Sequence, residues 1–172
     1  MKEVSFRTDV LPLKNELFRL ALRITLNRAD AEDVVQETMM KVWNRREQWG
    51  QIESMEAFCM AICRNAALDR QKRAGNQNAS LEDIGHDTPD HSYGANPEEQ
   101  AVQNDRVERV RRLMGRLPEK QRTCMQLRDV EGKTYKEIAE VMGITEPQVK
   151  VNIFRARQAI KQEYLKEERY GL

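Results

Sequence analysis

The chain has no long hydrophobic run. Its most apolar stretch, Leu20 to Leu26, is broken by Arg23 and falls far short of the roughly 20 residues that cross a bilayer. No apolar leader opens the sequence, so neither a secreted nor a membrane-spanning protein is expected. Aromatics are scarce at 6%, which removes much of the usual raw material of strands. The cysteines number three, Cys59, Cys63 and Cys124, too few for a disulfide framework and suited to a reducing, cytoplasmic setting. A large excess of one charge is also missing: the formal net charge is +1, so binding to nucleic acid by bulk charge alone is excluded.

What is present is charge in quantity, 33% of the 172 residues, carried mostly by straight-chain helix formers. The charge is unevenly placed. From Ala74 to Asp105 there is no Lys or Arg, while Glu82, Asp83, Asp87, Asp90, Glu98, Glu99 and Asp105 are acidic. The flanks are therefore more basic than the total suggests. An all-α fold is expected, with two small helical domains joined by a flexible acidic linker: 1–74, linker 75–96, and 97–172.

Leu13, Leu17, Leu20 and Ile24 recur at helical spacing, and Asp30 offers an N-cap for a second helix carrying Val34, Val35, Thr38, Met39 and Val42. After a loop with Trp49 and Gly50, Ser54 can cap a third helix buried along Met55, Phe58, Cys59, Ile62 and Ala66. The stretch from Gly75 to Asn96 is rich in Gly, Asn, Ser, Asp and Pro and has no helical period, the mark of a linker. Asn96, Pro97 and Glu99 then open a helix through Val102, Val107, Val110 and Leu113. Leu117 and Pro118 end it and start another, with Cys124 and Leu127 inward.

Thr134 and Glu137 have the spacing of a capping box, opening a helix with Tyr135, Ile138, Ala139 and Met142 inside. Gly143 can take the left-handed conformation of a sharp turn, and Thr145 caps the next helix with Pro147 in its first turn. This is a helix-turn-helix read from its joints. In its second helix Val149, Ile153, Ala156 and Ile160 make one apolar stripe. Gln148, Lys150, Val151, Asn152, Arg155 and Arg157 are left outside, where amides, cations and an exposed valine suit base edges, phosphates and thymine methyls.

The run Leu117 to Arg122, then Leu127 to Gly132, Tyr135 to Ala139 and Phe154 to Arg157 resembles the carboxy-terminal promoter-binding domain of sigma factors. Asp30 to Thr38 with Val42 and Trp43 resembles the helix with which sigma factors grip the coiled-coil clamp of RNA polymerase's largest subunit. Asp33, Gln36 and Glu37 share one face by spacing and are the polymerase-binding residues this implies. The segment Ile62 to Arg70 resembles the element that recognises and melts the downstream promoter box. It assigns Asn65 to a flipped base, with Arg64, Arg70, Lys72 and Arg73 along the backbone.

In the recognition helix the resemblance gives Lys150, Val151 and Phe154 the upstream box. Phe58, Met60 and Ala61 depart from the family, standing where a Trp, an aromatic and an Arg are common. In order and spacing the whole resembles a minimal two-domain extracytoplasmic-function sigma factor. Core RNA polymerase, promoter DNA and an anti-sigma factor are the implied partners.

An enzyme is not expected. Cys59 and Cys63 lie at i and i+4, and His86 and His91 lie in the linker, but the spacing is not that of a zinc knuckle. The cysteines read as small core residues, with no cofactor, metal or small-molecule substrate implied. A stand-alone helix-turn-helix repressor is the alternative: it would bind an operator unaided, as a dimer on two half-sites. Val151 implies a contact with a thymine methyl, so replacing thymine by uracil in the upstream box should weaken binding in a filter or anisotropy assay. Equal affinity for both would remove Val151 from base reading.

Overall fold

The computed structural model describes residues 3–75 and 97–170. Beyond Gly75 the expected linker, with His86, His91 and the Asn96 cap, lies outside the described residues. Among those described, every regular element is helical, and no helix is long and apolar enough to cross a membrane.

Three helices make the first group: α1 (Lys14–Thr25), α2 (Arg28–Asn44) and α3 (Met55–Gly75). Each packs on the other two. The expected stripe of α1 is buried at Leu13, Leu17, Leu20 and Ile24. Leu26 then ends the helix in the left-handed region, its N–H donating to the Leu22 carbonyl at 2.9 Å.

The start of α2 differs from expectation. Asn27, and not Asp30, is the cap: its extended backbone lets Oδ1 accept the Asp30 N–H at 2.9 Å. Asp30 sits one turn in, where an acid is stabilised by the helix dipole. Ser54 caps α3 as expected, accepting the Ala57 N–H at 3.2 Å. Trp49 is buried beside α2 with its indole N–H on the Val42 carbonyl at 3.1 Å.

The second group holds α4 (Pro97–Met114), α5 (Glu119–Met125), a π-helical turn Gln126–Val130, α6 (Tyr135–Met142) and α7 (Glu146–Tyr170). Leu113, Cys124 and Leu127 are buried as expected. Val107 is exposed, because the part of α4 that packs on α7 carries Val110, Leu113 and Met114, with Ile160 and Tyr164 opposite.

The two groups do not keep separate cores. Buried Cys124, Leu127, Ile138, Val141, Met142, Val149 and Ile153 join the buried residues of α1, α2 and α3 in one contiguous apolar cluster. The seam lies where α3 meets α6 and α1 meets α5. Charged pairs cross it. Arg19 donates through Nε and Nη2 to Glu131 at 2.5 and 2.8 Å, Arg64 grips Glu119 at 2.9 Å twice, and Lys133 reaches Glu56 at 2.6 Å and Glu16 at 3.3 Å. Burial pushes the Glu119 carboxyl up, but hydrogen bonds from Arg64 and Thr123 together with the positive charges of Arg64 and Arg122 outweigh it and hold it below the ordinary carboxylate range.

All three cysteines are buried core residues. Burial pushes the Cys59 and Cys63 thiols up to about 12 and Cys124 up to about 11, so the reactive thiolate is scarce at neutral pH. Native protein at pH 8 should therefore leave an aromatic disulfide reagent almost unreacted, and guanidinium should release the full complement of thiols. Rapid titration of any one of them in the native state would contradict this packing.

Candidate nucleic-acid interface

The helix-turn-helix is built from α6 and α7. Thr134 accepts the Glu137 N–H at 3.1 Å, one arm of the expected box. The box with both arms is at the start of the next helix: Thr145 Oγ1 accepts the Gln148 N–H at 3.3 Å, and Gln148 Oε1 accepts the Thr145 N–H at 2.9 Å. Gly143 has φ 67°, and its N–H donates to Ala139 at 2.9 Å, closing α6. A residue with a Cβ is strained in that conformation, so glycine fits the joint.

Along α7, Val149, Ile153, Ala156 and Ile160 are buried, as their spacing predicts. Lys150, Val151, Phe154, Arg155 and Arg157 face outward, and Phe154 keeps 63% of its surface in water. These outward residues are not equivalent. Arg157 is held in a bidentate pair with Asp129, and the Lys150 ammonium lies 5.3 Å from the Tyr135 ring centroid. Gln148 is occupied in its cap, and Asn152 is half-buried, donating to the Gln148 carbonyl at 2.8 Å. Val151, Gln148, Asn152 and Arg155 line a shallow groove of about 340 Å³ with Ile144, Pro147 and Lys120. Lys120, on α5, was missed in the sequence because only tertiary packing brings it beside α7.

The second surface is the outer face of α2. Asp33, Gln36 and Glu37 lie on it as predicted, Gln36 exposed and Glu37 paired with Lys41 at 3.0 Å. Asp33 is ion-paired to Arg70 of α3, which also reaches Asp30 at 3.3 Å. The same stripe continues through Met40, 67% exposed, and Trp43. Their spacing from Gln36 could have revealed them, since both fall off the buried Val34, Val35, Thr38 and Val42 line. Trp43 is braced by Phe6 at 5.6 Å, edge to face, and by Arg46 at 4.8 Å over its ring.

On α3 the predicted set divides. Asn65, Lys72 and Arg73 are exposed. Arg70 is drawn to α2 and Arg64 to Glu119. Among the described residues, no group of three or more His, Cys, Asp or Glu side chains is placed to hold a metal ion.

A capped helix-turn-helix with a basic and apolar outer face, on a chain that also presents an acidic and apolar helix stripe, defines a two-part DNA-binding protein. Residues 10–77 match the family described as Sigma-70 region 2 and residues 107–160 match Sigma-70, region 4. The factor SigL of Mycobacterium tuberculosis is 30% identical over 146 residues, which cover 84% of this chain and 80% of that protein. RfaY of Xanthomonas campestris pv. campestris is 29% identical over 161 residues, which cover 91% of this chain but 39% of RfaY.

Among solved structures, the sigma factor RpoE of Bartonella quintana, in complex with the anti-sigma factor NepR, shares the fold with a TM-score of 0.70 at 24% identity. That match covers 94% of this chain and 96% of RpoE. The chain belongs to the ECF RNA polymerase sigma factors, proteins that bind core RNA polymerase and direct promoter-specific initiation. The stand-alone repressor reading finds no support in these matches.

The two-armed cap at Thr145 sets where α7 begins. Thr145→Ala should lower unfolding stability by about 1 kcal/mol, read by urea titration. A loss within error would mean that Pro147 and the buried stripe place the helix unaided.

Proposed function

We propose that this sigma factor divides its work among three faces of two domains, 1–74 and 97–172, joined by the 75–96 linker. The outer stripe of α2, Asp33, Gln36 and Glu37 with Met40 and Trp43, docks on core polymerase. An apolar centre with an acidic margin suits a partner helix that offers both hydrophobic cover and basic residues. On α3, Asn65 takes a flipped base of the downstream element while Arg64, Arg70, Lys72 and Arg73 follow its backbone.

On α7, Lys150, Val151 and Phe154 read the upstream element. Arg155 and Lys120, which both line the groove, neutralise phosphates, and Gln148, Asn152 and Arg157 hold the reading surface in shape as well as contacting DNA. The observation that carries this reading is the recognition helix: its apolar stripe is buried while Val151 and Phe154 stay exposed among cations. Large apolar side chains left in water in that setting mark a binding surface.

The protein acts in the cytoplasm without catalytic chemistry of its own. RpoE in the structure above is held by an anti-sigma factor, and a protein of that class is the regulator we assign to this chain.

Run-off transcription with bacterial core polymerase on a promoter library tests the whole. Addition of the protein should produce specific starts. Glu37→Lys should abolish core binding without unfolding the chain, and Lys150→Glu should keep core binding but lose the upstream element. If both variants weaken polymerase affinity equally, the division of labour is wrong.

A further inference from the structure

Two cations on the recognition helix are held in unlike ways. Arg157 commits Nε and Nη2 to the Asp129 carboxylate, which also offsets its charge. Lys150 is exposed and lies two turns earlier on the same side of α7. Its ammonium stands 5.3 Å from the centroid of the Tyr135 ring, within the reach of a cation–π contact. Among the described residues no carboxylate forms an ion pair with it. A ring attracts a cation through its quadrupole and leaves the charge uncancelled. Lys150 is therefore oriented while its charge and its N–H donors remain available to a ligand.

The ring is itself anchored. Tyr135 is half-buried at the first position of α6, directly after the Thr134 cap, and packs against the shared apolar cluster. The Arg128 guanidinium lies 4.6 Å from the same centroid, and Arg128 is fixed by a 2.8 Å hydrogen bond to the Lys133 carbonyl. The π-helical turn, α6 and α7 thus meet at one aromatic side chain. Two like charges gathered at one ring repel each other, a cost that an anionic ligand relieves.

Orientation matters more to a lysine than to an arginine. The ammonium is a point charge on a flexible stem and has no planar fork to match a base edge. Left to rotate freely, it meets phosphate as readily as the O6 and N7 of guanine. Held against a ring on the neighbouring helix, it has fewer directions open to it.

We propose that Tyr135 is a positioning residue that determines specificity: its ring aims the Lys150 ammonium at a base edge of the upstream element and turns a general cation into a reader. The proposal deepens the assignment of Lys150 to that element and rests on it.

The test uses holoenzyme assembled from core polymerase and the full chain, with promoter duplexes randomised across the upstream element and the bound fraction sequenced. Lys150→Met keeps an apolar stem without the charge, and the base positions it flattens are those that Lys150 reads. At these positions Tyr135→Leu should lower the preference for the favoured base about threefold, the size of one exposed cation–π contact. Tyr135→Phe should retain the preference, because the ring and not the hydroxyl makes the contact.

Tyr135→Leu also alters packing, so a second series keeps the shape of the side chain. Tyr135→Phe carrying increasing numbers of ring fluorines draws charge off the ring face, and the preference should fall stepwise along that series. In the Lys150→Met background the same series should change nothing. A preference that survives full fluorination, or a fall that persists in Lys150→Met, overturns the proposal. The second result would trace the effect to Arg128 or to packing. If Lys150→Met flattens no position, the assignment of Lys150 itself fails and takes the proposal with it.

Discussion

The arrangement of the helices depends on the seam between α1 with α3 and α5 with α6. A short helix-turn-helix has too little interior to bury its own apolar residues well, because small units keep much of their surface in water. Ile138, Val141, Met142 and Leu127 are buried as part of one cluster that runs into Leu17, Leu20 and the α3 residues. That shared burial is non-directional, so it brings the groups together without fixing how they face. The direction comes from the charged pairs. Bidentate contacts such as Arg19 with Glu131 and Arg64 with Glu119 tolerate little rotation, and their desolvation is offset only when both prongs are made.

The outward surfaces follow from what the seam leaves uncovered. Met40 and Trp43 on α2, and Val151 and Phe154 on α7, are large apolar side chains held in water. Each pair stands beside polar or charged neighbours on a rigid helix, which places them better than a loop would. Rigidity is supplied locally: Trp43 is packed by Phe6 and Trp49, and α7 is started by a cap with two hydrogen bonds. The cations on α7 are sorted in the same way. Arg157 is tied to Asp129, whereas Arg155 borders the groove, so identical residue types two positions apart have different freedom to meet a phosphate.

Much of this was legible along the chain because helices are local objects. The periodic stripes of α1 and α7, the Ser54 and Thr145 caps and the Gly143 turn all rest on residues within a few positions of one another. The errors were local too: Asn27 takes the cap from Asp30 because its extended backbone points the side chain at the N–H three residues on, and Val107 lies off the contact that α4 makes with α7. The candidate site was readable as a list of exposed positions. It was not readable as a set of commitments, since nothing nearby in sequence says that Arg70 turns to Asp30 and Asp33, or that Lys120 joins Arg155 at one groove.

By itself, the sequence determined the all-helical class, the caps, the buried faces and the family, because each is encoded by spacing of a few residues or by a contiguous motif. Only the tertiary structure decided that the two helical groups share a core and that Arg64 is taken by Glu119. Those partners are separated by 55 residues, and Arg19 and Glu131 by 112. At such separations no pattern of hydrophobic period or helix propensity couples two positions. The choice of partner is made by burial, geometry and the cost of leaving a charge unpaired, which exist only once the chain is folded.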